Sequence, residues 1–299
     1  MFFKELNQSL TGFIMIFLCT QLLSCQTEEN TAEGNGFYGP KQLGEVGYIL
    51  EASGMVASRK NPDMIWIHND SGAKAEIYLI DQKGVLKQTF KLKGVNLRDW
   101  EDIAIGPGPE KNQPYLYIGE IGDNNARFQQ KIIYRFPEPE FSGGNDIIAI
   151  EIFDKIVFQY PDGKRDAETL LSDPFTGDLY IISKREENVH VYSLPYPQEI
   201  DTISLAIFHG TIPFHKITAG DISQDGREII IKNYESIFYW CREEDQSVFE
   251  ALTQPEKILP YKQEPQGESL AWMAGGKGYF TVSEKNSFEK VILYGYYRR

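Results

Sequence analysis

Three glutamates open equivalent phrases of this chain: Glu101-Asp102-Ile103-Ala104, Glu168-Thr169-Leu170-Leu171 and Glu268-Ser269-Leu270-Ala271. Two more copies begin Ser53-Gly54-Met55-Val56 and Gly220-Asp221-Ile222-Ser223. If the five openings converge, Ser53, Glu101, Glu168 and Glu268 face one another, joined by Gly220 or Asp221. Carboxylates confined together repel unless a proton or a cation intervenes. An all-oxygen set, completed by hydroxyl, carbonyl and water, suits Ca²⁺, which accepts six to eight oxygens in flexible geometry. Softer metals lack support, because the four histidines (68, 190, 209 and 215) are scattered and no HExxH or CxxC occurs. The competing reading is that the acids pair with basic residues or cap strand ends.

The elements that must position these residues are strands. Short apolar or alternating runs are bounded by Gly, Pro, Asn and Asp, and long helical periodicity is absent. The openings stand at 53, 101, 168, 220 and 268, at intervals of 48, 67, 52 and 48 residues. Periods near 40–50 residues match the four-stranded blades of a propeller. Each opening is followed by a second strand (64–68, 115–119, 179–183, 228–232, 278–283) and a third (76–80, 131–136, 189–194, 236–241, 290–296). The fifth copy runs out of chain after three strands, while 42–50 directly precedes the first opening, where an outer strand belongs. The expected fold is therefore all-β: a five-bladed β-propeller over 41–299, closed by an N-terminal strand. Six blades is the alternative, with an extra half-blade in 140–160.

In such a ring the loop leading into each inner strand opens on the same face as the turn between the second and third strands. Those turns carry Asp70, Asp123, Asn124, Arg127, Lys184, Arg185, Lys232 and Lys285. With Asp102 and Asp166 they are the expected ligand-binding residues. Cations beside a calcium site on an acidic protein suit a phosphate or carboxylate ligand. Equally, they neutralise the channel acids.

The blade openings, read as Glu51-Ala52-Ser53-Gly54-Met55, Asp99-Trp100-Glu101-Asp102-Ile103-Ala104, Ala167-Glu168-Thr169-Leu170 and Pro265-Gln266-Gly267-Glu268-Ser269-Leu270-Ala271, resemble those of the SdiA-regulated (YjiK-like) propellers. That resemblance covers about residues 41–299 and implies a calcium-binding five-bladed propeller. More distantly, the layout is similar to that of the calcium-activated nucleotidase (apyrase) propellers. The fourth blade departs from both, with Gly220 where Ser is expected.

Residues 1–24 read as an export signal: Lys4, then an apolar run from Phe13 too short to span a membrane, ending Leu22-Leu23-Ser24-Cys25. This ending resembles the lipobox of bacterial lipoproteins, which implies acylation at Cys25, a tether over 25–40, and a place in the cell envelope on the outer membrane, periplasmic or surface-exposed. Membrane contact is then expected only through the lipid. The 299 residues carry a net charge of −13, which excludes nucleic acid as a main partner. A hydrophobic fraction of 41% is enough for a packed core. No GxSxG or Walker motif occurs. Enzymatic activity is left open. The leading expectation is a monomeric module binding a small-molecule, glycan or protein ligand beside Ca²⁺; the alternatives are a calcium-dependent phosphoester or lactone hydrolase and a protein-interaction scaffold.

Overall fold

The computed structural model describes residues 36–299 apart from 71, 73, 145 and 285–289. It is a five-bladed β-propeller. Its inner strands are Ala52–Ala57, Asp102–Gly106, Ala167–Ser172, Ala219–Ile222 and Ser269–Trp272. Each pairs antiparallel with a second strand, and the second with a third. The burial gradient explains the strand sequences. Ala167–Ser172 is buried at every position, whereas Ile207–Ile212 on the rim is mostly exposed.

The core is not one mass. Five apolar clusters each fill the gap between two neighbouring blades. Trp66, Phe90, Ile103 and Leu116 join blades one and two, for example, and Ile182, Val191, Ile229 and Trp240 join three and four. Full burial of each large apolar side chain contributes about 1.5–3 kcal/mol, so the ring is held by its interfaces. One short helix, Val248–Leu252, adds Val248, Ala251 and Leu252 to the three–four interface. It starts on a capping box in which Ser247 and Glu250 satisfy each other's backbone N–H.

Closure follows the expected route with a shifted strand. Phe37–Glu45 pairs antiparallel with Ile292–Arg298, making the N-terminal strand the outermost of the last blade. It begins at Phe37, inside the stretch expected to be tether. The long second interval holds no extra blade. Its Ile147–Ile150 adds in parallel to the outer strand of blade one, Leu86–Leu92, and Asp154–Gln159 is the outer strand of blade two. Likewise Ile203–Leu205 returns in parallel to Asp154–Gln159 before Ile207–Ile212 joins blade three. Blades one and two, and blades two and three, are thus stitched at the rim. The expected signal and Cys25 lie outside the described residues, as does Lys285. Among the described residues no helix is long and apolar enough to cross a membrane.

Candidate functional site

The channel mouth gathers side chains from two kinds of loop. Glu101, Glu168 and Glu268 come from the starts of inner strands, and Asp70, Lys184 and Glu284 from the turns after second strands. Asp70, Asp99 and Glu101 each offer a carboxylate oxygen, all within 4.8 Å of one another; Glu101, Asp166 and Glu168 form a second such group. Glu101 belongs to both. It is 2% exposed and its carboxylate has no hydrogen-bond or ion-pair partner among the described residues, while Asp70 and Asp99 are half-buried. A Cβ at Gly122 would collide with Glu101 Oε1 and Asp99 Oδ2, so both carboxylates press onto bare backbone there.

Burial, then the charges of Glu168, Asp70, Asp99 and Glu268, pushes the Glu101 carboxyl well above the usual range. Burial and neighbouring Asp166 raise Asp99 as well. Glu284 is raised to about 8 by burial and by Glu268. Protons or a cation must therefore share this mouth.

Half of the mouth has its own cations. Lys184 Nζ contacts Glu168 Oε1 and lies 3.3 Å from Glu268 Oε1, which also accepts the Tyr234 hydroxyl. Burial alone would lower the Lys184 pKa; the charges of Glu168 and Glu268 outweigh it and keep the group an ammonium. The next residue, Arg185, donates its Nε–H to Asp166 Oδ2 at 2.5 Å. Both cations are thus engaged by the acids, Lys184 buried and Arg185 exposed. One carboxylate oxygen is left over: Glu168 Oε2 is buried without a partner.

Other expected residues serve the ring itself. Ser53 Oγ donates to the Glu101 carbonyl at 2.7 Å, latching blade one to blade two. Asp102, fully buried, accepts the backbone N–H of Ile103 and of Leu170, both at 2.9 Å, latching two to three. Asp221 does not join the acidic groups. Its oxygens accept the N–H of Ile222 and of Trp272, both at 2.8 Å, and burial raises it to about 7.

The hairpin registers explain the displacement of Asp221. Ser172 pairs with Leu179, Ile222 with Ile229 and Trp272 with Tyr279. Counting back from these, the counterpart of Glu168 and Glu268 in blade four is Thr218, and Asp221 lies deeper along its strand. Thr218 Oγ1 is spent on the Gly267 carbonyl, at 3.0 Å.

Asp123 organises its own loop, accepting the N–H of Arg127 and of Phe128 at 2.7 Å and facing Lys131 Nζ at 3.1 Å. Burial would raise it, but these donors win and hold it below the usual range. Its own N–H donates to Asp166 Oδ1 at 2.7 Å. Asn124 and Arg127 are exposed on that loop. Lys232 is buried on the Gly267 carbonyl, with its pKa lowered by burial to about 8. Asp99, Glu284, Thr218 and Tyr234 were not among the expected site residues. Asp99 stands two residues before Glu101, and that proximity was the available signal.

No protein-family model and no curated protein matches the chain. A solved structure described as the Dos1 propeller is similar at 11% identity and a TM-score of 0.38. The match covers 82% of this chain and 59% of that one, and so loose a likeness carries no argument about the site.

Proposed function

We propose that this protein is an exported, lipid-anchored propeller that holds Ca²⁺ between Asp70, Asp99 and Glu101 and binds its ligand through that ion. The observation carrying this reading is Glu101, a buried carboxylate with no basic partner among the described residues, beside two half-buried acids at ligand spacing. Three carboxylate oxygens are a hard, all-oxygen donor set, which suits Ca²⁺. The half-exposure of Asp70 and Asp99 leaves the outer coordination positions to water or to a ligand oxygen. That favours hydroxyls of a glycan, or a carboxylate of a small molecule or protein. Lys184 and Arg185 are already spent on acids, so the ion rather than a basic patch is the attachment point. The blade openings that resemble the SdiA-regulated propellers agree with this reading.

The test is calorimetric titration of metal-stripped protein with Ca²⁺. One site is expected, lost in Glu101→Gln. No heat, with no calcium retained on dialysis, sinks the proposal. Calcium-dependent turnover of a phosphomonoester or lactone would replace binding by hydrolysis as the role.

A further inference from the structure

We infer that the channel mouth contains a second divalent-cation seat, built by Glu101, Glu168 and Glu268, and that the Lys184 ammonium occupies it as a tethered substitute. This rests on the first Ca²⁺ seat proposed above and adds a site beside it.

Four observations meet at this point. Glu101 and Glu168 present oxygens within 4.8 Å of each other, in one group with Asp166, while Glu268 joins Glu168 through Lys184 rather than by that spacing. A cation already marks the place, because Lys184 Nζ contacts Glu168 and lies 3.3 Å from Glu268. That cation satisfies the site incompletely: Glu168 Oε2 stays buried and unpartnered, and such an oxygen costs free energy unless something binds it. The Tyr234 hydroxyl, already on Glu268 Oε1, adds one more neutral oxygen.

Charge separates the two seats. An ammonium is a single positive charge with three N–H donors, so it suits two carboxylates and leaves a third wanting. A divalent ion in the same place would draw Glu101, Glu168 and Glu268 together. Glu101 would then bridge two ions, one toward Asp70 and Asp99 and one toward Glu168. Among the described residues Lys184 sits on Glu168 and Glu268 and Arg185 on Asp166, so removing the lysine makes the mouth one charge more negative and raises its demand for a second Ca²⁺.

Tethering makes the lysine an effective competitor. Lys184 directly follows the second strand of its blade, and its backbone N–H is fixed to the Asp166 carbonyl at 3.0 Å. A group held this way acts at a local concentration of roughly millimolar or higher, so free Ca²⁺ at ordinary levels does not expel it. The wild-type protein is therefore a one-ion propeller with a second seat held shut by its own side chain.

The experiment counts calcium ions per chain by equilibrium dialysis and native mass spectrometry, for the wild type, Lys184→Met, and Lys184→Met with Glu268→Gln. Expected are one, two and one. One ion in both the wild type and Lys184→Met overturns the second seat while leaving the first intact. Two ions in the wild type overturn the blocking role of the lysine. None in either protein sinks the first seat and this one with it. None in the wild type but one in Lys184→Met keeps the second seat and sinks the first. Lys184→Met has to fold without its buried cation, so Lys184→Gln is made in parallel. Folding of either variant only when Ca²⁺ is supplied supports the seat, and failure of both at every Ca²⁺ concentration overturns it.

Discussion

The Asp102 carboxylate accepts the backbone N–H of Leu170 from the neighbouring blade at 2.9 Å, while its other oxygen accepts the N–H of Ile103. Asp221 repeats the arrangement two blades on, toward Trp272. These buried acids hold the ring together where sequence alone suggests ligand chemistry. Truncating Asp102 to Ala orphans two buried N–H groups, each costing about 1–3 kcal/mol. Urea unfolding of Asp102→Ala is expected to show a loss of about 2–6 kcal/mol, with Ca²⁺ stoichiometry unchanged. A neutral effect on stability would refute the latch.

Calcium is expected to raise the melting temperature. A ligand that binds only the folded state contributes about 2.7 kcal/mol at a hundredfold excess over its Kd. For a chain of this length that is a shift of roughly 5–10 °C. Differential scanning calorimetry in EDTA and in millimolar Ca²⁺ checks it. Glu101→Gln abolishes the shift, and a shift of equal size in that variant would remove Glu101 from the site.

Acid should stabilise the metal-free protein. Glu101 and Asp99 are raised by burial, Asp221 to about 7 and Glu284 to about 8. The folded state keeps protons that the unfolded chain has released, so stability falls as pH rises from about 4 through 8. In EDTA the melting temperature is therefore expected to be higher at pH 5.5 than at pH 8, and Ca²⁺ should narrow the difference. A flat or opposite trend in EDTA would show that these acids are already compensated.

Anchoring is tested separately. Cys25→Ala is expected to move the protein from the membrane fraction to the soluble one after cell lysis, without changing its melting temperature. Unchanged membrane association would remove the lipid anchor from the proposal.

Much of this architecture can be read from the residues, because blade strands carry strong local signals. The run 179–183 and the structural strand Leu179–Ser183 coincide, as do 228–232 and Glu228–Lys232. Ile147–Ile150 is legible only as part of the alternative half-blade in 140–160, and Ile203–Leu205 is not legible at all, because these rim strands are short and lie outside the core. Blade four misled for a different reason. Gly220-Asp221-Ile222-Ser223 imitates the opening phrase, while the true counterpart, Thr218, carries no charge to flag it. Only the pairing of Ile222 with Ile229 reveals the offset. Asp70 and Asp99 come from different blades, so their meeting at Glu101 depends on ring geometry that no local pattern encodes.

The strand that closes the ring has a bearing on how the chain folds. Phe37–Glu45 is the first described strand to leave the ribosome, yet its partner is Ile292–Arg298 at the other end of the chain. The ion pair between Glu45 and Lys290 spans 245 residues. Contacts of such separation incur the largest loop-closure entropy and form late. Until the last seven-residue strand is made, the leading strand has no sheet to join, and both chain ends expose unpaired edges open to other chains. Ring closure is therefore expected to come late in folding, and loss of the last strand would leave the first without its partner.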